Sequence, residues 1–300
     1  MPKLRTNHLI ISLLMILLLL VSACGNAPAA EPKSRAKLDS NAAANLTVKV
    51  LDVGQADAIL IQTPKQAILI DTGDVGTKEK LVSYIKKAGI TALDKVIITH
   101  AHADHLGGMA ELMENIPIKQ VYDSAFPATT ATYRNYLTTV QKKKIPFSRL
   151  QAGGSVDLGD GISLKAFAPE KEFIKGSDSD VNNSSIALKL SYGDFSMLLT
   201  GDAETESEEL MLKSFRADLK SQVLKSPHHG SRTSSSQAFL KAVAPEAVVI
   251  SVGANNDYHH PHPSIMKRYQ DAKMKIYRTD LDGTVTITSD GKTYKIAKEK

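Results

Sequence analysis

The sequence predicts a mixed α/β fold in which two sheets pack face to face and helices cover their outer sides. Three observations support this fold class. The chain has 300 residues and is 42% hydrophobic, which is enough apolar material for one large core. From residue 46 onward, short apolar runs alternate with longer segments of helical spacing. These segments form two strand-rich halves without an internal repeat, so we expect one domain over residues 46–300.

The first half opens with alternating apolar residues, followed by two short apolar runs on either side of the turn Thr63-Pro64-Lys65-Gln66. Its first helix has apolar residues at helical spacing and stops at Gly89, and its last helix stops before Pro146. In chain order the predicted strands are Leu46–Leu51, Ala58–Gln62, Ala67–Ile70, Val96–Thr99 and Val121–Tyr122, and the predicted helices are Lys78–Lys87, Leu106–Met113 and Tyr133–Lys144.

The second half has the same alternation of short apolar runs and segments of helical spacing. Its predicted strands are Val156–Leu158, Ile162–Ala168, Ser185–Ser191, Phe195–Thr200, Val223–Lys225, Ala247–Val252, Lys275–Arg278, Thr284–Thr288 and Thr293–Ile296. Its predicted helices are Glu204–Phe215, Ser235–Val243 and Ser264–Ala272.

The first 23 residues have the pattern of a secretory signal peptide. Lys3 and Arg5 give a positive start, and the apolar run Leu9–Val21 is short for a membrane span. The run closes with Val-Ser-Ala-Cys24, which resembles a bacterial lipobox. We therefore predict cleavage before Cys24, lipidation of that residue, and a location on the extracellular face of the bacterial cell membrane. An uncleaved membrane anchor is the alternative, and it places the domain on the same side.

Composition narrows the chemistry of the folded part. Cys24 is the only cysteine, so no disulfide forms and no thiolate serves as a nucleophile or metal ligand. Residues 24–45 are poor in apolar side chains, and we predict that they form the lipidated cysteine followed by a flexible linker. The net charge of +5 is mild and is compatible with an anionic substrate without requiring one.

The densest chemical motif follows the strand at Val96–Thr99. Three histidines and an aspartate fall within six residues and precede a Gly-Gly pair: His100, His102, Asp104 and His105. Histidines two positions apart at a strand end can face one metal centre, while the aspartate and the last histidine can serve a second centre beside it. Imidazole and carboxylate ligands together suit zinc and similar divalent ions.

Other strand ends supply further candidate ligands. The strand ending in Thr200-Gly201 presents Asp202, whose two carboxylate oxygens can bridge two ions. The segment Lys225-Ser-Pro-His228-His229-Gly-Ser231 presents two adjacent imidazoles, and because neighbouring residues point opposite ways we expect one direct ligand. Asp202 also fits as the cap of the helix that follows it.

Three further polar residues fit roles other than direct metal binding. His259 and His262, in the loop Tyr258–Pro263, fit solvated loop residues better than metal ligands. Asp71, at the end of the third strand, fits a residue that orients a ligand or caps a turn.

Together these motifs resemble the metallo-β-lactamase superfamily, whose signature is His-x-His-x-Asp-His, and within it the extracellular hydrolase domain of ComEC competence proteins. The resemblance extends over nearly all of residues 46–290. Since no membrane-channel helices follow the domain, we expect a free-standing relative. The matching motifs include Leu51-Asp-Val-Gly-Gln-Ala-Asp57, Ile70-Asp-Thr-Gly73, Thr99–Gly108, Asn183-Ser-Ser185, Leu198–Asp202, Lys225–Ser231, Tyr258–Pro261 and Arg278–Thr284.

The resemblance implies a four-layer αββα sandwich that holds two divalent metal ions, zinc or manganese. One ion would take His100, His102 and Asp202, and the other would take Asp104, His105, Asp202 and His229. Many superfamily members have a third histidine in the first site, but none lies here between His105 and His228. The sequence leaves open whether Asn183 completes that site and which of His228 and His229 binds metal.

The resemblance implies hydrolysis by metal-activated water, with a phosphodiester, and within that class DNA, as the substrate. In this interpretation Asp104 binds metal and orients the nucleophile, while His228 or His260 donates a proton or contacts the phosphate. Lys225 and Ser231 would hold the anion. Hydrolysis of a carboxylic ester, lactone or β-lactam, or of a phosphoester in a cell-envelope polymer, is the alternative enzyme class. A binding module with a degenerate metal site is the non-enzymatic one, and no obligate protein partner is evident.

Overall fold

The computed structural model describes residues 46–300, which contain fifteen strands and eight α-helices. The strands are β1 (Leu46–Val50), β2 (Ile59–Gln62), β3 (Ala67–Ile70), β4 (Lys95–Ile98), β5 (Val121–Asp123), β6 (Phe147–Arg149), β7 (Ser155–Gly159), β8 (Ile162–Ala168), β9 (Ala187–Tyr192), β10 (Phe195–Leu199), β11 (Val223–Lys225), β12 (Ala247–Ile250), β13 (Lys275–Arg278), β14 (Val285–Ser289) and β15 (Tyr294–Lys298). The helices are α1 (Lys78–Lys87), α2 (Ala103–Leu106), α3 (Met109–Asn115), α4 (Ala131–Lys142), α5 (Thr205–Phe215), α6 (Gln237–Val243), α7 (Pro263–Asp271) and α8 (Thr279–Asp282).

The strands form two sheets. The first has the order β15-β14-β1-β2-β3-β4-β5-β6 and the second has the order β13-β12-β11-β10-β9-β8-β7. Neighbours from β3 to β6 run parallel, as do those from β10 to β13, whereas the remaining pairs are antiparallel. Because parallel strands deliver their carboxyl ends to one edge, each sheet presents a row of loops there.

Three apolar cores separate four layers. The central core lies between the sheets and includes Val48 and Ile61 of the first sheet and Leu188 and Met197 of the second. A second core packs α1, α3 and α4 against the first sheet, and a third packs α5, α6 and α7 against the second sheet. Helices therefore cover both outer faces, which confirms the predicted fold class.

The predicted helix Leu106–Met113 is wrong because the structure breaks it into α2 and α3 at Gly107-Gly108. Both glycines have backbone angles that any residue adopts, so conformational freedom is not the reason. A Cβ atom on Gly108 would lie 2.1 Å from the carbonyl oxygen of Thr72. The glycine pair lets two backbone segments pack directly against each other beside the His-rich turn.

The strand β6 was missed by the sequence analysis. Its three residues are all exposed and it lies at the edge of the first sheet, so it carries no apolar alternation. The short 3-10 turns at Val75–Thr77, Asn182–Ser184 and Pro227–Gly230 were also missed. Such turns comprise only three or four residues held by backbone i→i+3 hydrogen bonds, too few to show hydrophobic periodicity.

The predicted signal peptide over residues 1–23, the lipidation of Cys24 and the linker over residues 24–45 lie outside the described residues. From residue 46 to residue 300, every helix is too short or too polar to traverse a lipid bilayer.

Candidate metal centre

Turns at the ends of strands from both sheets build one polar cluster. The turn after β4 supplies His100 and His102, and α2 begins directly afterwards with Asp104 and His105 on its first turn. The turn after β10 supplies Asp202 from the opposite sheet. The backbone of the two sheets is tied at this edge by the N–H of Ile186, which donates to the carbonyl oxygen of Thr99 at 3.0 Å.

Four of the six predicted metal ligands converge tightly. One ligand atom each from Asp104, His105, Asp202 and His229 lies within 4.8 Å of all the others. His105 Nε2 lies 3.2 Å from Asp202 Oδ2, and His229 Nε2 lies 3.3 Å from Asp104 Oδ2. These separations are short enough for the four groups to share one ion.

The other two predicted ligands, His100 and His102, lie beside this cluster. His100 Nε2 is 3.1 Å from His102 Nδ1 and 3.9 Å from Asp202 Oδ2. Asp202 is therefore close both to His100 and to His105 of the tighter cluster, as a bridging carboxylate must be.

Buried atoms without hydrogen bonds show that this donor set fits metal ions. Among the described residues, His105 Nε2, His229 Nε2 and Asp202 Oδ1 are buried and lack a hydrogen-bond partner. An unsatisfied buried polar atom normally costs about 1–3 kcal/mol, and three of them here aim into one small space. Nitrogen and carboxylate oxygen donors without sulfur suit zinc, manganese and similar divalent ions.

Both adjacent histidines of the turn after β11 face Asp202. His228 and His229 adopt φ angles of 48° and 53°, in the left-handed region that costs free energy for residues other than glycine. His229 is buried in the cluster, and its Nδ1 hydrogen-bonds the carbonyl oxygen of Ser251 at 2.9 Å. His228 keeps a side-chain exposure of 20%, and its Nε2 lies 3.7 Å from Asp202 Oδ2. The geometry favours His229 as the ligand and leaves His228 at the cluster's open side.

Asp71 contacts His105 at Nδ1, the ring nitrogen that does not face Asp202. Its Oδ2 accepts a hydrogen bond from His105 Nδ1 at 2.8 Å, and its two oxygens also accept the backbone N–H and hydroxyl of Thr99. Such a carboxylate fixes the orientation and the tautomer of an imidazole so that Nε2 faces the metal. Asp71 therefore has the orienting position that its place at the strand end suggested.

Lys225 does not reach the pocket, contrary to the substrate-binding role that the sequence suggested. Its side chain is fully buried, and its Nζ pairs with Asp57 Oδ2 at 2.9 Å and donates to the carbonyl oxygen of Ser226. The other predicted substrate contact, Ser231, lines the pocket and exchanges hydrogen bonds with Thr233.

Asn183 is fully engaged elsewhere. Its Oδ1 accepts the backbone N–H groups of Glu204 and Ser207, and its Nδ2 donates to Ser177 and Glu206. It is therefore not available to complete the first metal site.

Asn182, its neighbour, lines the pocket instead. Its Nδ2 donates to Glu204 Oε1, and its Oδ1 is buried without a partner. Glu204, whose side chain makes no capping hydrogen bond, occupies the N-cap position of α5, so the capping interpretation of Asp202 is wrong.

The ionisation states of the cluster's imidazoles and carboxylates follow from their burial and from their attraction to one another. Burial alone would lower the pKa of the His105 imidazole, but the Asp202 carboxylate and two weaker acidic neighbours outweigh burial and raise it well above its ordinary value. Burial would raise the pKa of the Asp202 carboxyl, but the imidazoles of His105 and His229 hold it well below its usual range. The pKa of Asp104 is lowered in the same way. Both acids are therefore carboxylates at neutral pH.

Histidines farther from the acids behave in the opposite way. Burial lowers the pKa of His100 well below its ordinary value. Burial and the neighbouring His228 lower the pKa of His260 to about 4. Both imidazoles are therefore neutral at pH 7, and for His100 this is the state that metal binding requires.

An open cavity of about 520 Å³ lies over the cluster. The cavity is lined by predicted site residues and by others that the motifs do not single out: Gln55, His102, Ala103, Asp104, Asn182, Asp202, His228, His229, Ser231, Tyr258 and His260. His259 is exposed and does not line the cavity, and His262 caps α7 by accepting the N–H of Ser264. Gln55 and Tyr258 stand within matched motifs, but only the folded chain places them at one opening.

Comparison with protein families agrees with this geometry. A model of the metallo-beta-lactamase superfamily matches residues 51–162, the part of the chain that carries the His-rich turn. The chain is 29% identical over 256 residues to ComE operon protein 3 of Bacillus subtilis, covering 79% of this chain and 32% of that protein. It is 31% identical over 239 residues to competence protein ComA of Neisseria gonorrhoeae, covering 79% of this chain and 31% of that protein. The chain thus spans about a third of the length of these curated relatives.

Solved structures support the fold. CmlA, a diiron β-hydroxylase from Streptomyces venezuelae, aligns with a TM-score of 0.52 at 14% identity, covering 82% of this chain and 54% of CmlA. The metallo-β-lactamase fold protein YhfI of Bacillus subtilis aligns with a TM-score of 0.51 at 13% identity, covering 78% of this chain and 96% of YhfI. At this level of identity the similarity concerns the fold.

Proposed function

We propose that this chain, which carries a metallo-β-lactamase domain homologous to competence proteins, is a metal-dependent phosphodiesterase that cleaves DNA. The observation that carries the proposal is the cluster of unsatisfied ligand atoms around Asp202 at the floor of an open cavity. The homology to competence proteins, which extends over most of the described domain, favours DNA as the substrate class.

Two divalent ions are proposed to bind this cluster. His100, His102 and Asp202 would hold one, and Asp104, His105, Asp202 and His229 would hold the other. Bound there, zinc or manganese would polarise a phosphodiester and lower the pKa of the attacking water.

The chain's own side chains then position the reaction. Asp104 is partly exposed to the cavity and ionised, so it can accept a hydrogen bond from the attacking water. His228 Nδ1 lies 3.3 Å from Glu204 Oε1, which fixes its ring with Nε2 toward Asp202 and the cavity. From this position His228 can donate a proton to the leaving oxygen. His260 is neutral at pH 7 and suits a hydrogen-bond contact with the phosphate better than proton donation.

A substrate panel tests the reaction class. The full-length chain, stripped of metal and reloaded with Zn²⁺ or Mn²⁺, is incubated with a labelled single-stranded oligonucleotide, its duplex, a chromogenic cephalosporin, p-nitrophenyl butyrate and poly(glycerol phosphate). We expect metal-dependent cleavage of the oligonucleotide. Asp218→Asn, a change at an exposed residue, serves as the matched control and retains that activity. Oligonucleotides that stay intact with both metals, or faster turnover of the cephalosporin, the ester or the polymer, would overturn the proposal.

We also propose that the enzyme is anchored through Cys24 to the extracellular face of the cell membrane. The support is the lipobox-like sequence Val21-Ser-Ala-Cys24 after an apolar run. Cells fed an alkyne fatty acid should label the wild-type chain and the control Ser34→Ala, but not Cys24→Ser. Equal labelling of Cys24→Ser would contradict this anchor. So would a mass of the mature chain that shows a first residue other than Cys24.

A further inference from the structure

Tyr258 stands out at the mouth of the cavity. It lines the cavity, yet 68% of its surface is exposed. Among the described residues, the other large hydrophobic side chains with high exposure are Val75, Phe147 and Leu281, and none of them lines this cavity. Single exposed apolar residues are ordinary on protein surfaces, so the exposure of Tyr258 does not by itself indicate a binding role. The ring contacts and the loop around Tyr258 do indicate one.

A row of rings leads from Tyr258 to the ligand cluster. The Tyr258 ring lies nearly parallel to that of His260, at an interplanar angle of 25° with centroids 5.7 Å apart. His260 in turn meets His228 edge to face at 5.6 Å, and His228 Nε2 is 3.7 Å from Asp202 Oδ2. One face of Tyr258 is thus backed by the site, and the exposed face is presented at its entrance.

The loop that carries Tyr258 is fixed by hydrogen bonds. The Asn256 side chain accepts the N–H of His260 and donates to the carbonyl oxygens of Gly253 and His260. Farther along the loop, the N–H of His262 donates to the carbonyl oxygen of Gly230.

Pro261 packs this loop closely against Gly230, in the turn that carries His228 and His229. A Cβ atom on Gly230 would lie 2.6 Å from the Pro261 Cβ, so the two segments pack without space between them. The backbone on both sides of Tyr258 is therefore held, and its ring rests against His260, before any substrate arrives, which reduces the entropy cost of using it as a contact.

We propose that Tyr258 is a stacking platform for an unpaired nucleobase next to the phosphodiester that is cleaved. This inference rests on the proposed phosphodiesterase function and names its substrate more closely. A flat aromatic face of this kind accepts any base, because every base has a π-face. It offers nothing to a polymer of glycerol phosphate.

Two consequences follow from one platform. A base that stacks on Tyr258 must first unstack from its neighbour in the strand, and in a duplex it must also unpair. A single strand is therefore preferred over a duplex. A phosphodiester with a base is preferred over one without a base. Neither preference depends on the identity of the base.

A binding measurement tests the contact without turnover. A phosphorothioate-linked tetranucleotide containing 2-aminopurine is titrated with the Zn²⁺-loaded full-length chain, and base fluorescence is recorded. Stacking on Tyr258 should quench the fluorescence with wild type and with Tyr258→Phe, but not with Tyr258→Ala. Phe147→Ala, which removes an exposed aromatic ring on β6, is the matched control and should quench like wild type. Equal quenching by Tyr258→Ala, or none by wild type, would overturn the inference.

A rate comparison separates this inference from the proposed function. Thymidine 5′-(p-nitrophenyl phosphate) and methyl p-nitrophenyl phosphate share a leaving group and differ in the base. Tyr258→Ala should lower kcat/KM about tenfold on the first, equivalent to about 1.4 kcal/mol, and leave the second within about twofold. Tyr258→Phe should behave as wild type.

The outcomes are distinct. Wild type that hydrolyses neither ester contradicts the phosphodiesterase, while quenching that depends on Tyr258 can still be observed. Wild type that hydrolyses both esters, with equal effects of Tyr258→Ala on each, contradicts the platform and leaves the phosphodiesterase intact.

Discussion

At the scale of single residues, the buried imidazole of His105 is held between carboxylates on both sides. Its Nδ1 contacts Asp71 at 2.8 Å, and its Nε2 lies 3.2 Å from Asp202. The attraction of these acids outweighs the cost of burial and raises the pKa of His105. A divalent cation placed among the same acids would replace that proton, so metal binding and proton release are coupled here.

The hydrogen bond from His105 to Asp71 leads to a prediction about metal affinity. Asp71→Asn keeps the shape of the side chain but removes the charge behind His105, so metal affinity should fall roughly 10–100-fold. Competition with a chromophoric chelator measures this change. Asp74→Asn, a half-buried aspartate in the same loop, should bind metal as wild type does. Unchanged affinity in Asp71→Asn would show that Asp71 does not tune His105.

Asp123 gives a pH prediction away from the cluster. Burial raises its pKa from the ordinary value of 3.8 to about 6. Between these values the folded chain holds a proton that the unfolded chain has released, so stability falls as pH rises. The change amounts to about 3 kcal/mol of unfolding free energy between about pH 4 and 7. Asp123→Asn should lack this contribution.

Urea unfolding at pH 4, 5, 6 and 7 tests the Asp123 prediction. The difference in unfolding free energy between Asp123→Asn and wild type should grow in favour of the variant as pH rises. The exposed Asp157→Asn should follow the wild-type pH dependence. A constant difference between Asp123→Asn and wild type at all four pH values would contradict the raised pKa.

At the scale of elements, hydrophobic periodicity was sufficient where a helix or strand buries one face. The boundaries of α1 and β8 agree with the sequence prediction, because each has an apolar pattern on the face that it buries and is bounded by glycine or proline. The edge strand β6 has no such pattern, and α2 and α3 are separated by a backbone contact that periodicity does not encode.

The same division applies to the candidate site. Motif spacing was enough to place His100, His102 and Asp202 in one region, since each follows an apolar strand. It could not show that Lys225 turns inward to the buried Asp57 or that Asn183 is occupied by backbone N–H groups. Those contacts join elements that are distant in sequence, so only the packed fold defines them.

The junction of α2 and α3 yields a stability prediction. Gly108→Ala places a Cβ against the carbonyl oxygen of Thr72 and should cost roughly 1–3 kcal/mol of unfolding free energy. Gly76→Ala is the matched control, because its Cβ would find ordinary contacts only. Urea denaturation compares the two variants. A Gly108→Ala variant as stable as Gly76→Ala would mean that the close backbone contact is not maintained.

At the scale of the whole molecule, the candidate metal centre joins the two sheets. His100, His102 and His105 follow a strand of the first sheet, whereas Asp202 and His229 follow strands of the second. Ions bound between them would cross-link the two halves of the folded domain. Metal binding should therefore stabilise the entire fold by mass action.

Metal removal tests this cross-link. At a free Zn²⁺ concentration 100 times the dissociation constant, binding contributes about 2.7 kcal/mol, which corresponds to a rise in Tm on the order of 5–10 °C. Differential scanning calorimetry of the chelated and reloaded chain measures the shift, and Asp202→Asn should show a smaller one. Identical Tm values with and without metal would contradict a centre shared between the sheets.

The rate at which the Zn²⁺- or Mn²⁺-loaded full-length chain cleaves a single-stranded oligonucleotide, compared between wild type and Asp202→Asn, tests the central claim most directly. Asp202 lies close to ligands of both proposed ions, so its loss should remove several kcal/mol of transition-state stabilisation and lower the rate roughly 10³-fold. Near-native circular dichroism would show that the fold of the variant persists. Cleavage by Asp202→Asn at the wild-type rate, or no cleavage by wild type with either metal, would contradict the account.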